Sequence, residues 1–297
     1  MENKPVQLEN PYRQTGDWYK TALHFHSTNS DGKLSPQDSI ARYAEKGYRV
    51  ICLSDHNFVS RLSSSVFPGA LLIPNAEISW PHLLHVGAKD DGKLEDPKFP
   101  AAWKRIADEG GFSVLCHPRW SNLNWQELHD GSAVNAVEIW NYACELENAT
   151  GYALTDWDLL LQAGVRLWGT AADDTHFKGP CSSCDGGWIM VQSSELAQEA
   201  ILDSMLAGAF YSSQAPSLFR VETGPGKIEV ECSPAVELRA VADGVGSGEV
   251  LFSPKPKTNW TLNFGKWGTQ PKRYLRLEIK DIEGRLAWTN PFFVLKA

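Results

Sequence analysis

Residues 21–57, TALHFHSTNSDGKLSPQDSIARYAEKGYRVICLSDHN, decide the architecture. Thr21–Ser27 alternates as a strand. Ser35 then caps a helix, Pro36 suits its first turn, and Asp38 can return the cap's hydrogen bond. Gly47 supplies the left-handed stop. Arg49–Asn57 follows as a buried apolar strand. This strand–helix–strand unit predicts parallel pairing through a crossover helix. The alternation continues outward. ALLIPNAEIS (70–79), HLLHVGAK (82–89), GFSVLCHP (111–118), AVEIWN (136–141), VRLWGTAADDTH (165–176) and GGWIMVQSS (186–194) read as strands. PAAWKRIADEGG (100–111), ALTDWDLLLQAG (153–164) and ELAQEAILDSMLAGA (195–209) read as helices. The pattern favours a closed (β/α) barrel over an open sheet. Neither GxGxxG nor a Walker loop occurs, so a dinucleotide or P-loop fold lacks support.

The texture changes near residues 214–226, where Gln-Ala-Pro-Ser and Thr-Gly-Pro-Gly punctuate the chain. Short strands with turn signals follow to the end, so residues 1–214 are expected to form an α/β unit and 215–297 a small β-rich, sandwich-like domain. With 28 Lys+Arg against 36 Asp+Glu, the formal charge is −8. That balance argues against nonspecific nucleic-acid or membrane-surface binding. It leaves an anionic small-molecule substrate open, because bound metal reverses the local field. No apolar run reaches the roughly 18 residues of a membrane span, and the N-terminus lacks a signal-like core, so a cytoplasmic location is expected. Association into a homo-oligomer stays open. Of the six cysteines, Cys52 and Cys116 lie in apolar runs and read as small buried hydrophobes.

The informative pattern is the placement of polar residues at strand ends, where parallel α/β folds carry their chemistry. The ends present His24 and His26 with Asp31 close behind, then Asp55-His56, Glu77, His82 and His85, His117, and Asp173-Asp174-Thr175-His176. Residues i and i+2 share a face of a strand, so His24 pairs with His26 and Asp174 with His176. Imidazoles and carboxylates form the ligand set of Zn, Fe and Mn.

In this order and spacing the segments resemble the polymerase and histidinol phosphatase (PHP) metallohydrolases. The resemblance runs through His24-Phe25-His26-Ser27, Ser30-Asp31-Gly32, Ser54-Asp55-His56, Glu77, His85-Val86-Gly87, His117-Pro118 and Asp174-Thr175-His176, over about residues 20–212. It implies a distorted (β/α)7 barrel carrying two or three divalent metal ions (Zn, Mn or Fe). Carried over residue by residue, the implied ligands are His24, His26, Asp31, His56, Glu77, His85, His117, Asp174 and His176, with Glu77 bridging in a three-metal form. His82 is not carried over, being three residues from His85 and out of phase on a strand; a rim or hydrogen-bonding role is expected for it. Gly186-Gly187-Trp188, Phe210-Tyr211-Ser212-Ser213 and Ala287–Pro291 resemble, more loosely, the branch that includes the carbaryl hydrolases.

The implied activity is metal-dependent hydrolysis by a metal-activated water, foremost of a small phosphate ester or nucleotide. Arg119 and His176 are the catalytic candidates. Arg119, next to His117-Pro118, would either clamp phosphate or pair with a nearby acid. Lys178 is a weaker candidate of the same kind. Ser27 and Ser30 are expected to hydrogen-bond the loop presenting Asp31, and Asp55 and Asp173 to orient ligands or strand ends. Trp80, Trp120 and Trp140 would line a pocket or pack in the core, and Asn141 would bond water or substrate. Cys181 and Cys184 lack partners for a structural zinc site. Two other functions fit the same residues: carboxylic-ester or carbamate hydrolysis on the same metals, and a non-catalytic metal-dependent binding module.

Overall fold

The computed structural model describes residues 6–13, 15–79, 82–94 and 101–295. It is a mixed α/β structure with two large sheets. The strand Asp17–Ala22 sits inside an eleven-stranded sheet, parallel to Val50–Ile51 on one side and antiparallel to Trp188–Ser193 on the other. The opening helix forms over Pro36–Glu45, with the Ser35 hydroxyl accepting from Asp38 N–H and Gly47 at φ +80° closing it. The expected helices at 153–164 and 195–209 form over Leu154–Gln162 and Gln198–Leu206. Two short helices add to the expected set: Trp125–Asp130, opened by an Asn124–Glu127 capping box, and Tyr142–Asn148, capped by Asn141.

The second sheet runs in the order Trp168–Ala172, Ala136–Asn141, Phe112–Leu115, Leu83–Val86, Glu77–Ile78. Here the expectation of uniformly parallel strands needs correction. Leu83–Val86 runs antiparallel to both Glu77–Ile78 and Phe112–Leu115. Only residues 79–82 separate the first two strands, far too few for a parallel crossover. The closed (β/α)7 barrel is not confirmed, because the regular ladders of the two sheets do not join. Two isolated parallel bridges, Phe25↔Thr175 and His56↔Glu77, link them instead. Asn57, His82, His117 and Asp174 all take positive φ at the strand ends, a conformation that breaks a ladder where it occurs.

The β-rich tail continues the eleven-stranded sheet, since Leu286–Thr289 pairs with Phe210–Ser213. Its long strand Lys227–Ala242 pairs with Leu218–Gly224, Gly248–Leu262 and Tyr274–Lys280. Tyr274, Trp288 and Phe293 pack into the same core as Trp157 and Leu160. Arg276, 2% exposed, binds Asp158 at 2.8 and 2.7 Å and Glu278 at 2.7 Å, tying the tail to the helix Leu154–Gln162. Removing one partner of such a buried pair strands a charge, at a cost of about 3–5 kcal/mol. Among the described residues, no helix is long and apolar enough to cross a membrane.

Candidate metal centre

His24 and His26 emerge just past the strand Asp17–Ala22. Phe25 between them turns to the opposite side and packs against Tyr43, with ring centroids 4.3 Å apart. The bridge to Thr175 aligns a second chain end, with Asp174 N–H donating to His24 O and His26 N–H to Thr175 O, both at 2.9 Å. Asp174 therefore reaches both histidines. Its Oδ1 lies 3.2 Å from His24 Nε2 and 3.1 Å from His26 Nε2.

Glu77 is the centre of the arrangement. Its Oε2 lies 3.2 Å from His24 Nε2, 3.3 Å from His26 Nε2 and 3.1 Å from His56 Nδ1. Its Oε1 lies 2.8 Å from His82 Nδ1 and 3.2 Å from His117 Nε2. Five imidazoles thus converge on one carboxylate that is 1% exposed. Toward solvent, Asp31 Oδ2 lies 3.2 Å from His176 Nε2, and Asp31 Oδ1 lies 3.8 Å from His56 Nε2. The His26 ring stacks between those of His56 and His176, at centroid distances of 4.5 and 4.1 Å.

The supports around these groups are equally specific. Asp55 accepts from Ser27 N–H at 2.7 Å, Ser27 Oγ at 2.6 Å and Ser30 Oγ at 2.7 Å, fixing the loop that carries Asp31. Asp173 accepts from the N–H groups of Asp185, Gly186 and Gly187 and from Tyr43 OH. Burial nonetheless raises its carboxyl to about 6. Glu138, absent from the sequence-derived set, lies 2.7 Å from His24 Nδ1 and accepts from His117 N–H and Asn141 Nδ2. It holds His24 with Nε2 facing Glu77 and Asp174. Its signal was being the one charged residue in the buried strand AVEIWN. Asn141 also donates to Asp174 Oδ2 at 3.1 Å, so it orients carboxylates within the protein.

The two histidines near residue 84 exchange places relative to expectation. His85 is buried away from the cluster, with Nε2 3.2 Å from Glu109. Burial lowers its pKa to about 4, against the opposing pull of Glu109. His82 faces Glu77 instead. At φ +66° it lies outside the strand that begins at Leu83, so strand phasing does not govern it. Arg119 also departs from a clamp role, because its Nε is 2.6 Å from Asp156 Oδ2. Lys178 binds the backbone oxygen of Asp31 and lies 3.3 Å from its Oδ2.

Asp31, His56, Glu77, His82, His117, Asp174 and His176, together with Trp120, Cys144, Glu147 and Lys178, line a cleft of about 350 Å³. Trp120 packs edge-on to His82 and His117. Trp140 packs in the core and donates to Gly186 O; Trp80 lies outside the described residues. Cys181 lines the cleft, but neither it nor Cys184 joins a group of ligand-type side chains among the described residues.

The donors fit divalent cations. His24 Nε2, His26 Nδ1, His56 Nδ1 and Glu77 Oε2 are buried without a hydrogen-bond partner. Each such orphan costs about 1–3 kcal/mol unless something else satisfies it. Four overlapping groups have donor atoms within 4.8 Å of one another: His24, His26 and Asp174; His24, Glu77, Cys116 and His117; His56, Glu77 and His82; and His26, Asp31, His56 and His176. Their charges are strongly coupled. Burial favours neutral His24, yet Asp174, Glu138 and Glu77 hold its pKa well above the usual value. Burial likewise favours neutral Glu77, yet His24, His117 and His82 hold it well below the carboxylate range.

No family model and no curated protein matches the chain. Among solved structures it is similar to a two-domain protein from Bacteroides vulgatus ATCC 8482, described as containing a predicted PHP-like metal-dependent phosphoesterase. The TM-score is 0.53 and the identity 16%, over 98% of this chain and 99% of that one. The likeness is one of fold across both the α/β part and the β-rich tail. It does not single out the carbaryl-hydrolase branch.

Proposed function

We propose that this protein is a metal-dependent phosphoesterase of the PHP type, acting on a small anionic phosphate ester with two or three divalent ions. The observation that carries the reading is the convergence of five imidazoles on buried Glu77. The proposed ligands are His24, His26, Asp31, His56, Glu77, His82, His117, Asp174 and His176, with His82 in place of His85. When bound, such ions supply an acidified water and positive charge for the oxygens of a scissile ester. The chain's own contribution is to hold these donors in place. Glu138 fixes the His24 ring, Asn141 orients Asp174, and the Asp55-anchored loop presents Asp31. His176 sits at the cleft, paired with Asp31, where it is placed to contact substrate. Trp120 offers an apolar wall for the leaving group.

Hydrolysis of a carboxylic ester or carbamate is the second reading. The pairing of Arg119 with Asp156 favours it, because among the described residues it leaves the cleft without an arginine to grip phosphate. Aryl phosphates and aryl esters, each assayed with added Mn and Zn, separate the two. Phosphate turnover abolished by His26→Ala is the expected result. Ester turnover with a silent phosphate assay would overturn it.

A further inference from the structure

We propose that Cys116 is a sulfur ligand at the deep end of this centre, biasing it toward zinc or ferrous iron over magnesium and manganese; this rests on the metal-centre reading above. The sulfur lies with His24, Glu77 and His117 in a group whose donor atoms are all within 4.8 Å of one another. Four N, O and S donors at such spacing match the coordination number of zinc. Two members of the group carry an independent sign of a cation site: His24 Nε2 and Glu77 Oε2 are buried without hydrogen-bond partners.

The local backbone explains how two successive residues can serve one ion. In a regular strand, residues 116 and 117 would point to opposite faces. His117 takes φ +24°, which breaks the alternation and lets both side chains converge. Cys52 makes the contrast. It is equally buried and shares an apolar core cluster with Cys116, but belongs to no group of ligand-type side chains among the described residues. The Cys116 thiol makes a weak contact with Val114 O, at 3.7 Å, and its other neighbour is the His24 ring, itself a member of the group. As the metal–sulfur bond forms, the S–H bond breaks and its proton passes to bulk water, leaving a thiolate on the ion. A soft thiolate selects zinc and iron over the harder cations.

The test is to strip the full chain with a chelator and titrate it with Co²⁺, following two spectral regions. Visible d–d bands report cobalt in the centre, and a near-ultraviolet sulfur-to-cobalt charge-transfer band reports thiolate ligation. Wild type is expected to show both. Cys116→Ser should keep the visible bands and lose the charge-transfer band, while Cys144→Ser and Cys181→Ser keep both. In zinc–manganese competition, the bound zinc-to-manganese ratio of Cys116→Ser should fall severalfold. Visible bands without charge transfer in the wild type overturn the sulfur ligand and leave the metal centre standing. So does a charge-transfer band that survives Cys116→Ser. Failure of cobalt to bind at all overturns both.

Discussion

The deep and outer halves of the centre use the same residue types in different surroundings. Glu77, Asp174, His24 and His117 are all buried, and their rings and carboxylates are held by further protein groups, Glu138 and Asn141 among them. Asp31 is half exposed on its side chain, and His56 and His176 keep 28% and 22% exposure. Charges in the deep half act through a low-dielectric medium, whereas the outer groups are screened by water. The difference implies a division of labour. The deep half should hold its ion tightly in a fixed geometry, and the outer half should exchange its ion and meet substrate.

The largest effect should come from Glu77→Gln, which removes the carboxylate shared by five histidines. Loss of orienting partners alone costs 10–100-fold in metal affinity or activity, so loss of this group should exceed about 100-fold. Elemental analysis should find deep and outer metal both depleted, since His26 and His56 contact Glu77 and also border Asp31. Retention of full metal content would dissolve the picture of one shared carboxylate. Glu138→Gln should fall within about 10–100-fold, because it frees the His24 ring without removing a ligand. Asp31→Asn should separate the halves, releasing the outer ion while the deep metal stays. Equal loss from both halves would show that the division is not real.

A pair of variants tests which histidine near residue 84 belongs to the centre. His82→Ala should lower metal content, and His85→Leu should leave it unchanged. His85 instead has an acid-side signature. Its pKa in the fold, about 4, lies below the usual 6.5. The stability tied to its neutral form is therefore fully present above about 6.5 and is lost as pH falls toward 4. In metal-free protein, urea unfolding of wild type should weaken more between pH 7 and 5 than that of His85→Leu. Identical slopes would remove the assigned role of burial.

Much of this centre was legible because strand ends concentrate chemistry, and alternation put His24 with His26. What escaped was set by backbone geometry that a period of two does not encode. Positive φ at His82 freed it from strand phasing, and positive φ at His117 breaks the alternation there, where the Cys116 sulfur and the His117 ring lie in one group. Glu138 was hidden inside a strand that reads as core. The parallel expectation failed at Leu83–Val86 because the short link 79–82 permits only an antiparallel return. Continuous barrel pairing is interrupted for a related reason: positive φ recurs at the strand ends, so among the described residues the two sheets meet through single bridges.

The smallest effect on turnover should come from Arg119→Ala. The guanidinium is nearly half exposed and already paired with Asp156, a geometry usually worth about 0.2–1 kcal/mol. Its loss should therefore change kcat/KM for an aryl phosphate by less than about fivefold, since about 1 kcal/mol corresponds to that factor at most. A clamp would behave differently. A bidentate grip on phosphate strengthens binding of the anion, so its removal should raise KM for phosphate far more than for a neutral aryl ester. Comparing the two substrates in the same variant tells the roles apart. A selective rise in phosphate KM would mean that Arg119 leaves Asp156 when the anion arrives, and that the outer half of the centre is completed by substrate.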